Sequence, residues 1–506
     1  MTKLTTIALA LLFAYTANAA DLLDVYQAAE QQDQVYAAAK ASYTAGLEKL
    51  PQARAALRPQ VNLRLPVTYN YVRSNPRGEN AVSASDNYAG ANLTLELSQA
   101  LYRPENAIIV DQAQLQLTQI EAQLQQAQQD LIVRAAQAYF DVLLAEDNVA
   151  VSRNQKIAIS EQLAQAKRNF EVGTATITDT HEAQARYDLA TAREIADQND
   201  LEVKRRALEI LVGKPLDQLA PLRDKVNLPP PTPNDMNQWV DVAQKQSLQV
   251  VVFKTAEEIA IKEIERNKAA FKPTVDLIAN LSENYTSSKK AGFGQDTQSA
   301  AVGVQLNYPI WEGGLRNSKV RESVALRERA RFDTENARRQ VAQNARQAYL
   351  GVTSGIAQVK ALEQAVVSTQ SQLESTKLGQ EVGVRTGVDV LNAQQQLYTA
   401  RRDLYSAQYN TILSQLKLKF AAGLLARNDL IEVNGTLRKP GDPTSSNVAP
   451  NKSKDRKATL PAGKPAAEKA GEMIDKKTEG DIKTPTAPKV KKPARKPAVK
   501  LPGAQQ

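Results

Sequence analysis

The sequence predicts a mainly α-helical fold with a smaller β part. Long coiled-coil helices, duplicated in tandem, would build a helical barrel, and four strands per chain would contribute to a 12-stranded transmembrane β-barrel shared by three chains. Three observations lead there. The 506-residue chain repeats itself, residues 107–170 contain neither proline nor glycine, and period-two apolar strands occur where no apolar run is long enough to cross a bilayer as a helix.

The repeat comes first because it fixes the architecture. Residues 171–184 read EVGTATITDTHEAQ and residues 381–394 read EVGVRTGVDVLNAQ, in register at an offset of 210. The same offset pairs Gln137-Ala138-Tyr139 with Gln347-Ala348-Tyr349, and Gly213 with Gly423. Upstream the offset is 214, pairing Ala29 with Ala243, Lys40 with Lys254 and Pro59 with Pro273. Copy one is therefore four residues longer, and the Gly/Asn/Ser-rich stretch 74–90 is the place where a loop absorbs them. Copy one spans 20–228 and copy two 236–437, joined by a linker at 229–235 whose prolines, Pro229, Pro230, Pro231 and Pro233, cannot continue a helix.

Each copy orders its elements alike. A helix is expected over 21–57 and over 236–271, each ending before a proline. A strand pair follows, at 61–73 and 91–101 in copy one and at 274–285 and 300–310 in copy two. In the first strand Val61, Leu63, Leu65, Val67, Tyr69 and Tyr71 alternate with polar residues, which gives one apolar and one wet face. Ile278 breaks that alternation, and Pro66 is awkward inside a strand. From Ala113 the apolar positions advance by fours and threes through Leu117, Ile120, Leu124, Ala127 and Leu131, with one extra step of four after Leu131 that marks a stutter. The counterpart helix is expected over 315–380.

Residues 1–19 read as an export signal: Lys3, an apolar core, and Ala17-Asn18-Ala19 before a mature start at Ala20. With no apolar helix to span a membrane, strands of about ten residues must do so, as their length allows. Four strands cannot close a barrel, and an open edge in lipid leaves amides unpaired, so several chains are needed; three give 12 strands.

The charge of +9 is deceptive. Residues 438–506 hold 17 Lys+Arg against 7 Asp+Glu, leaving −1 for residues 1–437. The basic Lys/Pro/Ala-rich tail at 438–506 reads as disordered, either a solvated extension or an attachment to anionic periplasmic material, and no nucleic-acid partner is expected. There is no cysteine, one histidine and no P-loop or metal-ligand motif, so neither catalysis nor a cofactor is expected. His181 reads as an ordinary helical histidine or as a pH sensor at a gate.

With the duplication and strand positions, Leu-x-Tyr-Pro-Ile-Trp-Glu-Gly-Gly at 306–314 and the Val-Gly-x-x-Thr turns at 172–176 and 382–386 give the chain a resemblance, over residues 21–437, to the TolC family of outer-membrane efflux and secretion ducts. The resemblance implies a homotrimer with a β-barrel in outer-membrane lipid and a long α-helical tunnel closed at its periplasmic end. Such a duct exports small molecules or proteins, by multidrug efflux or type I secretion, with a periplasmic adaptor (membrane fusion) protein and an inner-membrane efflux pump or ABC exporter. The N-terminal cysteine of the acylated branch is missing, so the chain is similar to the non-acylated branch.

The resemblance also implies site residues. Adaptor contact at the helix tips maps onto Val172, Gly173, Thr176, Val382, Gly383 and Thr386; glycine at a tight helix-helix turn explains part of that pattern equally well. The family's aspartate ring maps onto Asp389, with Asn392 where a second aspartate is usual, and Asp389 also suits a helix N-terminus. The closing network maps onto Arg385 and Asp179, with Gln380 at an aromatic position. Opening would untwist the inner pair, about 315–425. Two other classes stay open from the residues alone: a periplasmic coiled-coil adaptor, and a structural stalk.

Overall fold

The computed structural model describes residues 19–75, 77, 84–216, 218–223, 226–287 and 295–438. The export signal up to residue 18, the tail from 439, and most of the loop difference between the two hairpins lie outside the described residues.

Copy one opens with α1 (Leu22–Gln32), α2 (Gln34–Leu47) and α3 (Lys49–Ala55). One helix was expected over 21–57, and two breaks divide it. At the first, Asp33 leaves the helical region (ψ 118°) and caps α2 by accepting the Tyr36 amide at 2.7 Å, while Arg134 donates to both carboxylate oxygens at 2.8 and 3.0 Å. At the second, Pro51 falls in the first turn of α3, where its missing N–H costs nothing but would interrupt a longer helix. Copy two has α6 (Met236–Gln246) and α7 (Leu248–Ala269). It breaks at Ser247, the equivalent of Asp33, but runs on past Glu265, which stands where copy one has Pro51.

The strands are β1 (Gln60–Arg64), β2 (Val67–Ser74), β3 (Ala84–Tyr102), β4 (Thr274–Thr286) and β5 (Gln295–Asn307). The expected strand 61–73 is split at Leu65-Pro66, because proline cannot donate to the ladder. Both pieces pair with β3, which is 19 residues long, well beyond the 91–101 expected. The strand expected at 300–310 stops at Asn307, ahead of Pro309. All pairings are antiparallel, and the sheet runs from β1 and β2 through β3 and β4 to β5.

Facing residues share one side of the pleat. Val61, Leu97, Ala279 and Val302 form one row, and Leu63, Leu95, Leu281 and Ala300 the next. Thr94, Ser282 and Ser299 lie on the opposite side. A bulge between Ala100 and Tyr102 brings Tyr102 opposite Val275, and so onto the apolar side. Ten residues separate Val275 from Tyr285 along β4, about 33 Å of strand. Tilted as membrane strands are, that spans roughly the 25 Å apolar band that aromatic girdles flank. Tyr69, Tyr71 and Tyr285 mark one end of it, and Tyr102, Tyr308 and Trp311 the other, all exposed.

After each hairpin comes a rod. The helices α4 (Pro104–Glu171) and α8 (Leu315–Glu381) have 68 and 67 residues, about 100 Å each at 1.5 Å per residue. Each turns back into α5 (Ile177–Val212) or α9 (Gly387–Ala421), and α10 (Arg427–Asn434) ends the described chain. The main core lies midway along α4, where the stutter was read. Leu131, Ile132, Ala135, Ala136, Tyr139 and Phe140 are all buried there against Leu22 and Tyr26 of α1, Leu211 of α5, Ile412 and Leu416 of α9, and Leu430 of α10. A heptad stripe serves a helix with one partner; here α4 is surrounded, and the stutter widens its apolar face. No helix among the described residues is long and apolar enough to cross a membrane.

Candidate gate at the helix tips

The two Val-Gly-x-x-Thr segments are the turns between α4 and α5 and between α8 and α9, and their backbones are near copies. Gly173 and Gly383 take φ of 76° and 80°, the left-handed region that glycine enters without strain. In one turn the amides of Thr174 and Ala175 donate to the Asn169 carbonyl at 2.8 and 3.2 Å; in the other, Val384 and Arg385 donate to the Gly379 carbonyl at 2.9 and 3.1 Å. Wrapping the carbonyls inward leaves Val172, Val382 and Val384 bare, at 73%, 67% and 75% exposure.

Thr176 and Thr386 then start α5 and α9 with matching capping boxes. The Asp389 amide donates to Thr386 Oγ1 at 3.2 Å, while Asp389 Oδ2 accepts from the Thr386 amide at 2.9 Å and its hydroxyl at 3.0 Å. Asp179 does the same with Thr176. The backbone and hydroxyl bonds from Thr386, with a smaller contribution from Arg385, hold the Asp389 carboxyl below its ordinary range. Only Oδ2 is used in this way, and Oδ1 stays free of hydrogen bonds among the described residues.

Within the described chain no hydrogen bond or ion pair joins Asp179 to Arg385 or Gln380. Arg385 is exposed, and its stem lies against Gly379, where a Cβ would fall 2.8 Å from Arg385 Cγ. The Gln380 carbonyl accepts the Gly383 amide at 3.1 Å, and its side chain reaches Gly387. His181 is exposed on α5. Asn392 accepts from Arg186 Nη2 at 3.1 Å, and Gln395 from Arg186 Nη1 at 2.7 Å.

Arg186 was not singled out in the sequence. It is the lowest rung of a series that ties α9 to copy one. Above it, Tyr398 donates to the Asn154 carbonyl at 3.2 Å, Arg402 pairs with Asp197, and Tyr409 donates to Asp147 at 2.6 Å. Burial pushes the Asp147 carboxyl up to about 6. The repeat offset held one clue, since Asn392 is the equivalent of Glu182, which Arg186 also contacts at 3.2 Å. No group of side chains suited to a metal ion occurs among the described residues.

Comparison with known proteins gives the family of the chain and follows its internal repeat. The model of the family described as outer membrane efflux protein matches twice, at residues 25–214 and 239–424, starting 214 and ending 210 residues apart, the two offsets of the internal repeat. Outer membrane protein TolC of Vibrio cholerae is 33% identical over 422 residues, 83% of this chain and 94% of that protein. Alkaline protease secretion protein AprF of Pseudomonas aeruginosa is 32% identical over 427 residues, 83% of this chain and 88% of the relative. The fold resembles the solved outer membrane protein VceC of Vibrio cholerae, with a TM-score of 0.67 at 18% identity over 79% of this chain and 96% of the other. It likewise resembles the Campylobacter jejuni CmeC outer membrane channel, with a TM-score of 0.68 at 14% identity over 82% of this chain and 89% of that one. By sequence and by fold, the chain belongs to the outer membrane efflux protein family.

Proposed function

We propose that three copies of this chain form a passive duct through the outer membrane and periplasm, open to outer-membrane lipid on one side and gated at the helix tips. The observation that carries the reading is the sheet: an apolar face bounded by aromatic residues, with edges at β1 and β2 on one side and β5 on the other that are unpaired among the described residues and that lipid does not tolerate. Three such sheets joined edge to edge remove every edge. An adaptor or a stalk has no use for that face, and relatives named for outer-membrane efflux and protease secretion favour the duct.

The duct has no energy source of its own, so a periplasmic adaptor and an inner-membrane pump or ABC exporter would drive it. The bare valines at 172, 382 and 384 give an adaptor hairpin an apolar seat. Cargo is of the kinds its relatives' names carry, effluxed molecules or secreted proteins. Three Asp389 carboxylates around the axis would attract cations, and their free Oδ1 atoms are compatible with capping at the same time. Asn392, a neutral amide, weakens that ring.

The test is conductance of the purified protein in planar bilayers. Cation selectivity and block by multivalent cations should both fall in Asp389→Ala; a variant that keeps both removes Asp389 from the gate, and a wild-type protein that never inserts or conducts removes the duct.

A further inference from the structure

We infer that Arg186 is the positioning residue that latches the gate: from α5 it holds the inner helix α9 against copy one through Asn392 and Gln395. This inference rests on the duct reading above. Arg186 lies ten residues beyond the capping Thr176, about 15 Å up the helix from the tip. It is the only bridge of hydrogen bonds between side chains of α5 and α9 on the tip side of Arg402–Asp197, among the described residues.

Its surroundings suit a latch better than a strut. Between Arg186 and the next rungs the two helix pairs part around a cleft of ≈ 390 Å³, lined by Gln155, Leu189, Arg193 and Thr399. The latch is therefore a local contact, backed on its tip side by Leu391, which is buried among Ile159, Leu163 and Ala183. The rungs above are different in kind. Asp197 and Tyr409 are buried, so parting Arg402–Asp197 or Tyr409–Asp147 would strand a polar group away from water. Releasing Arg186 strands nothing. Its guanidinium keeps Glu182 Oε1 at 3.2–3.3 Å, and the freed amides of Asn392 and Gln395 are already exposed to water. The upper rungs act as the pivot, and Arg186 as the reversible hold near the tip.

The two copies differ at the latch itself. Asn392 stands where copy one has Glu182, and while Glu182 holds Arg186 by charge, Asn392 holds it by a neutral amide. An aspartate at 392 would bind Arg186 more tightly, so the neutral amide makes for easier release.

The test compares full-length wild type with Arg186→Gln, Arg186→Lys and the Asn392→Ala/Gln395→Ala double variant in planar bilayers, with thermal unfolding followed in parallel. Arg186→Gln should raise resting conductance or opening frequency about tenfold, as losing two exposed hydrogen bonds to a charged group predicts. Arg186→Lys should fall between it and wild type, the double variant should match Arg186→Gln, and combining all three should add nothing further. The unfolding midpoint should stay unchanged, which separates a latch from a structural brace. Wild-type resting conductance in Arg186→Gln would overturn the latch and leave the duct standing, as would a conductance change accompanied by a lowered midpoint. Absence of conductance in every protein, wild type included, would overturn the duct and the latch with it.

Discussion

At the scale of single residues, neighbours decide what a substitution does, and three glycines or acids make the point. Gly423 ends α9 with φ of 73°, and a Cβ there would meet the Gln246 carbonyl oxygen at 2.6 Å. Gly383 shares the positive φ but has nothing within 4 Å of its missing Cβ. Gly383→Ala should therefore cost only the left-handed conformation, about 1–2 kcal/mol. Gly423→Ala adds a backbone overlap and should cost about 3 kcal/mol or more, read as the difference between the two unfolding midpoints. Asp147 gives a pH dependence. Its folded carboxyl holds the proton more tightly than an unfolded one does, mainly through burial, with Glu146 adding to the rise and the Tyr409 hydroxyl opposing it. Stability should then increase as pH falls through about 6 towards the ordinary carboxyl value, and at pH 8 the charged form costs up to about 3 kcal/mol. Asp147→Asn keeps an acceptor for Tyr409 and loses the charge. It should melt higher than wild type at pH 8 and show a flatter profile between pH 4 and 7. An unchanged profile would mean that the carboxylate is solvated.

At the scale of elements, much of the architecture could be read from local pattern. Period-two alternation marked the middle of the sheet, because a face packed against apolar surroundings sorts its side chains that way, but it missed Ala84–Gly90 of β3 and Gln295–Ser299 of β5, where polar and small residues break the pattern. The absence of proline and glycine over 107–170 marked α4, and the repeat offset carried it over to α8, which runs on through Gly351, Gly355 and Gly379. Breaks were harder. The division at Pro66 follows from a residue visible in the sequence, but Asp33 and Ser247 interrupt helices whose local preferences are sound; their reason is tertiary, Arg134 reaching Asp33 from α4 in one copy. The gate divides in the same way. The turns and the capping boxes, Asp389 as a cap among them, follow from residues three to six apart. Arg186 to Asn392 joins positions 206 apart on two different repeats, and no period announces it. The strand face makes its own prediction. Leu95→Arg sets a charge in the row of Leu63 and Leu281, and should cost roughly 2–4 kcal/mol if that row lies near the midplane of the bilayer. Thr94→Arg, one residue along on the wet face, should cost far less. Yields of membrane-assembled protein compare the two directly, and equal yields would mean the face is not in lipid.

At the scale of the whole molecule, duplication accounts for both likeness and difference. Each copy supplies one strand pair and one helix pair, and the same contact closes both: the glycine after the last helix sits against the break in the first, Gly213 on Gln32 and Gly423 on the Gln246–Ser247 backbone. The copies then diverge in what they are free to do. Copy one carries the acids that anchor α9, half-buried Asp147 and buried Asp197, while copy two presents neutral amides to Arg186. A rigid outer pair beside a releasable inner pair is what a gate worked from its tips requires. Everything above the gate depends on closure, since a single chain leaves an apolar sheet with two open edges. The most direct measurement is the native mass of the protein extracted from outer membranes and kept unheated. An assembly of three chains that heating converts to one is expected. A monomer, a dimer, or recovery in the soluble periplasmic fraction would contradict it.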